Sequence, residues 1–561
     1  MRPVILIAIM LLLDCLCPAQ QPDVRVQLWT LFQLSQIELQ PVGNMNFAWQ
    51  GGSSHQDTPL AIRAHGDTVE ISGHTAAKLA VSGDFRMTAE QAPAQHVRTK
   101  VEISAQNGAL HVIASLPVED YVAAVLQGET GGNMPIEALK ALAVSIRSYT
   151  SRFRERHKDD NFDFCDTTHC QFLRLEVQPA VSAAVQATAG ELLWDRGTPL
   201  AAYYHKDCGG QTEAAATVWP DQKAEALISH EDNYCVHVTQ PWHSEFAQAD
   251  LERVLSRAGL RVPTGWNRIA VSERTPSGRA RTLQFGIGNS AGVPISASSF
   301  RFAVGRTLGW NILKSDWYDV TVRAGRFIFN GRGVGHGVGL CQTGAAEMAR
   351  QGKPYREILA FYYPTTLTGR SAQGIPWIVT RNEVFELRIV NSSDSTIAHP
   401  AIRSALDWAR QQTGLGLSQL PVIEVYPTVS MFRDATGEPG WISASTRRER
   451  IRVQPIGVLR ERFPGVLRHE FLHILVESNA KVSTPLWFRE GLVVYLGGDP
   501  APANEVHMTP TEIERVIASR SSQADLRRAY TQAAALVRNL ERKHGRGKLM
   551  EWLRSGLPDK I

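Results

Sequence analysis

Apolar and polar residues alternate in short runs along the first part of the chain. From about residue 23 to 115, stretches such as VRVQLW, TVEISG and KVEISAQNGALHVIAS are separated by Gly, Asn and Asp. A period of two bounded by turn residues predicts short strands with one face inward. The period then becomes helical. Val118, Tyr121, Val122 and Val125 share one face of a segment that Pro117 can open. A second helical pattern runs from Pro135 to about His157, with Ile136, Leu139, Ala143, Ile146 and Phe153 inward. Strand-like, turn-rich sequence resumes to about residue 368, with TGAAEMARQG and YREILAFYYP as short helices. Residues 369–383, GRSAQGIPWIVTRNE, read as a linker. Beyond it EVFELRIV opens a second unit as a strand, and the pattern turns mostly helical after residue 464. There is no internal repeat. The pattern predicts an α+β chain: a β-rich domain over 23–368 carrying a helical segment, then a mainly helical domain over 384–561 with a small N-terminal sheet.

Composition changes this picture little. The 561 residues are 43% apolar and 20% charged, enough for two or three cores. A net charge of +4 with both signs interspersed offers no nucleic-acid tract, and suits an anionic surface such as a cell wall. The N-terminus, MRPVILIAIMLLLDCLCPAQQ, has Arg2, about ten apolar residues and small residues around Ala19. That is the layout of a cleaved secretory signal over 1–19. Asp14 interrupts an apolar run already short for a bilayer, and neither Cys15 nor Cys17 follows a small residue. The expected product is exported, periplasmic or extracellular, with no transmembrane segment after signal cleavage. Five cysteines then remain, at 165, 170, 208, 235 and 341. An odd count leaves at least one thiol or metal ligand over, and separation with flanking turn residues favours a Cys208–Cys235 disulfide.

The stretch LQGETGGNMPIEALKAL places Glu129 in the last turn of the first helix, with Gly131 and Gly132 as a left-handed stop. The carbonyl end of a helix disfavours negative charge and raises a carboxyl pKa, and burial under the loop raises it further. A carboxyl protonated near neutrality is what a general acid requires. Lys140, Arg147 and Arg154 recur every seven residues on the next helix, where they could hold a partly anionic substrate. The alternative is a frayed helix end beside a solvated basic face.

The longer stretch LPVEDYVAAVLQGETGGNMPIEALKALAVSIRSYT resembles the core of the stage II sporulation protein D family, also called the SpoIID/LytB or amidase-enhancer family. FDFCDTTHCQ, AAYYHKDCGGQTEAAATVW and GRGVGHGVGLCQTGAAEMARQGKPYREILAFYYPTT agree in order, over roughly residues 105–368. The resemblance implies a lytic transglycosylase acting on peptidoglycan glycan strands, or an activator of a cell-wall amidase. It makes Glu129 the catalytic acid and assigns Lys140, Arg147, Tyr204 and His336 to the substrate. The glycine-rich GRGVGHGVG lacks the ending of a phosphate loop and by resemblance lines the glycan cleft. Cys341 stands where the family often has serine. Some members carry a structural zinc, for which His157, Cys165, His169 and Cys170 are this chain's matching ligands; a Cys165–Cys170 disulfide is the rival. Sporulation itself does not follow, because the family occurs outside spore-formers.

VLRHEFLHILVES carries a second signature. His469 and His473 lie four apart on a helix and can share one zinc, with Glu470 beside them as base for a water; the alternative is a buried helix whose histidines bond to backbone groups. Seventeen residues on, TPLWFREGLVVYLGG offers Glu490 on a helix that Pro485 can start. This resembles the gluzincin metallopeptidases of the thermolysin-like superfamily, which implies Glu490 as third zinc ligand. Position 494 departs from that pattern: thermolysin-type sequences place there an Asp that supports a zinc histidine, and here it is Val494.

Overall fold

The computed structural model describes residues 23–50, 52–498, 507–519 and 523–558. The expected signal segment lies outside them. The fold is mixed α+β, and among the described residues no helix is long and apolar enough to cross a membrane. The described residues from Asp23 to Gly374 form one compact unit and those from Ile375 another.

The first unit is built on an 11-stranded sheet drawn mostly from residues 24–116. Its first strand, Val24–Leu28, buries alternate residues. It pairs antiparallel with Ala109–Leu116 and parallel with Phe164–Cys165. Helix α1, Val118–Thr130, buries every residue from Tyr121 to Gln127. Helix α2, Ile136–Phe153, lies against it with Leu139, Ala143 and Ile146 inside. The helical pattern overreaches at both ends. Ile136 sits in the first turn, past the packed face, and is 43% exposed. The helix stops at Phe153 because Arg154 is extended and Glu155 takes a left-handed φ of 68°. A separate aromatic core, including Trp242, Trp266, Phe285, Phe300 and Phe329, fills a lobe between residues 242 and 331. The sequence pattern did not set this lobe apart.

The second unit has a five-stranded sheet followed mainly by helices. Its edge strand, Ile378–Arg381, falls within the segment expected as a linker and pairs with Glu386–Ile389. Helices α3, Phe463–Asn479, and α4, Leu486–Gly497, contribute most of their apolar residues to one core with the sheet.

The basic residues at 140, 147 and 154 each have partners of their own. Arg147 is 3% exposed; its Nε and one terminal nitrogen donate to both oxygens of Glu119 at 2.6–3.2 Å, and the other nitrogen donates to the Glu191 carbonyl at 3.1 Å. Lys140 pairs with Glu137 at 2.6 Å, and Arg154 donates to the Asp23 carbonyl at 2.7 Å. Removing one partner of a buried, bidentate pair strands the other. Arg147→Met should therefore lower the unfolding free energy by about 3 kcal/mol in urea titration at unchanged m value, and a loss below about 1 kcal/mol would show that the clamp contributes little.

Candidate functional site

Glu129 ends α1, where Gly131 and Gly132 turn the chain with φ of 64° and 80°. Its carboxyl is half-buried and accepts one hydrogen bond, from the Phe172 backbone N–H at 3.1 Å. Desolvation pushes its pKa up to about 7, against the Phe172 hydrogen bond and the charge of Lys206, which both pull it down. The direction is the one expected from the sequence; the leading cause is burial rather than the helix end.

The segment holding Phe172 is itself fixed. Gln171, 2% exposed, accepts from the hydroxyls of Tyr121 and Thr150, each at 3.1 Å, and donates to the Tyr204 hydroxyl at 3.0 Å. Just before it, His157, Cys165, His169 and Cys170 bring one ligand atom each within 4.8 Å of the others. His157 Nε2 lies 3.3 Å from Cys170 Sγ, and His169 Nδ1 lies 3.6 Å from both sulfurs. Cys165 and Cys170 stand as free thiols. The hydrogen bond with Cys170 lowers the Cys165 thiol pKa from its usual value. Two sulfurs and two imidazole nitrogens in this arrangement fit a tetrahedral zinc.

Tyr204 joins the two walls. Its phenol feels the Glu129 charge, and its backbone is hydrogen-bonded by His336. The strand Tyr204–His205 pairs in parallel with Leu340–Cys341, which brings the glycine-rich stretch alongside. His336 accepts from the Val338 N–H at 3.0 Å and meets the rings of Trp219 and Tyr203. Burial, with His205, Arg301 and Arg279, holds its pKa well below that of a free imidazole, so it is neutral. The structure thus gathers Glu129, Tyr204 and His336. It leaves Arg147 in its buried clamp and Lys140 on Glu137. The cation beside Glu129 is the exposed Lys206, which the sequence reading passed over although it lies in the same short stretch as Tyr204. The Phe172 N–H has no side-chain signal to find. The expected Cys208–Cys235 disulfide is not formed: both are free thiols, and Cys341 shares their cluster.

In the second unit, the Nε2 atoms of His469 and His473 face each other at 3.0 Å on α3. Two nitrogens on one tetrahedral zinc stand roughly 3.3 Å apart, so the spacing fits. Glu490 on α4 is fully buried, and neither of its oxygens has a hydrogen-bond partner. Burial holds its carboxyl well above the usual range. Such an orphaned acid is costly unless a cation completes it. Among the described residues, however, the sets that bring three or more ligand atoms within 4.8 Å both lie in the first unit, so Glu490 does not stand within that reach of the two histidines. Glu470 accepts from the Thr446 hydroxyl at 2.6 Å, and burial lifts its pKa to about 7. His473 Nδ1 is buried without a partner.

The SpoIID profile, described as stage II sporulation protein, matches residues 106–194, which include α1, α2 and the Cys165–Cys170 stretch. An uncharacterized protein of Brachyspira hyodysenteriae is 32% identical over 260 residues, 46% of this chain and 68% of that one. The amidase enhancer of Bacillus subtilis is 26% identical over 290 residues, 44% of this chain and 40% of its own length. Stage II sporulation protein D of Bacillus amyloliquefaciens is 24% identical over 279 residues, 45% of this chain and 74% of its own. The chain belongs to the SpoIID family.

Gly128 lets the 172–173 backbone rest on α1: a Cβ there would stand 2.5 Å from the Phe172 carbonyl oxygen and 2.7 Å from Leu173 Cα. Gly128→Ala should cost about 1–3 kcal/mol of stability through overpacking. The displaced peptide should let water reach the Glu129 carboxyl and, because desolvation outweighs the Phe172 hydrogen bond lost with it, lower the Glu129 pKa; a pH titration of Glu129 by NMR unchanged from wild type would exclude that coupling.

Proposed function

We propose that the first unit cleaves the glycan strands of peptidoglycan as a lytic transglycosylase, with Glu129 as its general acid and base. The observation that carries this reading is a desolvated carboxyl with a pKa of about 7, held by a single N–H and flanked by Tyr204 and Lys206. Protonated Glu129 gives its proton to the glycosidic oxygen as the bond from the muramic acid C1 to that oxygen breaks. The carboxylate then takes the proton of the sugar's own 6-hydroxyl as that oxygen bonds to C1, leaving a 1,6-anhydromuramyl end. The proton returns to Glu129 and no water is consumed, so one carboxyl suffices where hydrolytic glycosidases use two. Neutral His336 and the aromatic rings of Tyr203 and Trp219 offer sugar-binding surface. The chain is exported to act on the wall, and a zinc at His157, Cys165, His169 and Cys170 braces the segment that positions Phe172.

The reading is tested on purified glycan strands with products identified by mass spectrometry. Glu129→Gln should fold normally and abolish anhydromuramyl ends, since an amide cannot deliver the proton. Wild-type kcat/KM should fall as pH rises through about 7, because deprotonating Glu129 removes the acid. The name of the amidase enhancer favours a second reading, in which this unit binds the wall and stimulates a separate amidase. Stimulation of an added amidase by Glu129→Gln and wild type alike, without anhydromuramyl ends from either, would establish that reading instead.

For the second unit the same marker of orphaned, buried ligands supports a gluzincin-like zinc peptidase, with His469, His473 and Glu490 holding the metal. Zinc, when bound, polarises a peptide carbonyl and acidifies water. Glu470 takes the proton of the attacking water and passes it to the leaving amine, while Thr446 orients its carboxylate. Because His473 Nδ1 has no supporting acid, metal affinity should be weak by the standard of such sites, about 10–100-fold. In the full chain, His469→Ala should remove one zinc by native mass spectrometry and Val494→Asp should tighten its retention against chelator. Equal zinc content in wild type and His469→Ala would refute the site.

A further inference from the structure

Outside both of these sites, three cysteines and an aspartate converge at one point in the first unit. Cys208 follows the Tyr204–His205 strand, Asp232 caps the Asn233–Val236 turn of helix that contains Cys235, and Cys341 caps the Gln342–Arg350 helix. Their three sulfurs and one carboxylate oxygen all lie within 4.8 Å of one another, and all four residues are 0% exposed. Sulfurs at 2.3 Å from one tetrahedral zinc would stand roughly 3.8 Å apart, inside that limit. A disulfide could join only two of them and would leave a third thiol against a buried carboxylate.

Hydrogen-bond donors meet Cys341 and Asp232, while carboxylates meet the other two sulfurs. Cys341 Sγ receives the backbone N–H groups of Cys208 at 3.2 Å and Gly344 at 3.3 Å. Asp232 Oδ1 receives the N–H groups of Tyr234 and Cys235, and Oδ2 receives the Tyr362 hydroxyl at 2.7 Å and the Cys208 thiol at 3.2 Å. Arg279, itself 4% exposed, donates to the Cys208 carbonyl at 2.9 Å and puts a fixed positive charge beside Cys208 and Cys341. Without an ion the Cys208 and Cys235 thiols donate to Asp232 at 3.2 Å and to Asp207 at 3.4 Å, weak bonds that leave two carboxylates crowded against three sulfurs in a dry core. A thiophilic divalent cation removes the conflict, and the N–H donors with Arg279 offset the surplus negative charge of three thiolates and a carboxylate.

We propose that Cys208, Asp232, Cys235 and Cys341 form a closed structural zinc site, with three thiolates and the Asp232 carboxylate as ligands. The ion ties together three chain segments beneath the wall that carries Tyr204, Lys206 and His336. Closed coordination by four protein ligands leaves no position for substrate, so its part is to hold the fold. It is separate from the His157/Cys165/His169/Cys170 set, with which it shares no residue.

The test uses the full chain expressed with zinc. Anomalous scattering at the zinc edge from crystals should show a peak between the three sulfurs; no peak at that position would overturn the proposal whatever is found at the other sites. Native mass spectrometry should show one zinc fewer in Cys341→Ser than in wild type, and equal content in a folded variant would also overturn it. If Cys341→Ser fails to fold, wild type denatured without reductant and alkylated decides the matter. Peptide mapping should find Cys208, Cys235 and Cys341 all modified, whereas a disulfide linking any two of them would refute the site.

Discussion

The first unit depends on how the chain between Cys165 and Leu173 is held against α1. That segment enters as a short parallel strand beside Val24–Leu28, passes the cysteine–histidine set, and then lays the Phe172 peptide on Gly128. Each contact limits the next. The strand pairing places Cys165, the side chain of Gln171 is held by three hydroxyls, and the Phe172 N–H is left free to meet Glu129. Burial of the acid and its one hydrogen bond act in opposite directions on its pKa. Desolvation is the larger, and that imbalance is what keeps a proton available near neutrality.

Charge is used differently on the two sides of this arrangement. Arginine is placed where a planar, always-charged group can be buried with several partners: Arg147 locks α1 to α2, and Arg279 crosses behind the Cys208 turn. Lysine is left where solvent reaches it, and Lys206 beside Glu129 tempers the acid without fully ionising it. A guanidinium fixed in salt bridges cannot follow a substrate, whereas a flexible ammonium can.

The second unit shows the same economy in another form. Two imidazoles, an unpartnered buried carboxylate and a second carboxyl raised to about 7 lie on adjoining helices packed into one core. Groups so poorly satisfied lower stability, and natural cores keep them where chemistry or a bound ion compensates.

Several features were legible in the residues alone. Period-two and period-3.6 patterning marked the strands, α1 and α2, because one-sided burial imposes those periods on any chain. Glu129 before two glycines announced a helix end, since only glycine turns left at no cost. The cysteine and histidine spacings exposed the first cluster because its members are close in sequence. Tertiary structure decided the rest. Lys140 meets Glu137 three residues back on its own helix, a local pair, yet only packing shows that Glu119 lies opposite Arg147 and the Asp23 carbonyl opposite Arg154. The linker gave up an edge strand to a sheet whose other members lie up to about 75 residues further on, beyond any local signal. Cys341 joins Cys208 across 133 residues, and Phe172 offers Glu129 a backbone N–H that every residue but proline carries. Local sequence encodes which face of an element is apolar; which partner meets that face is set by the packing of the whole chain, where contacts distant in sequence carry the free energy.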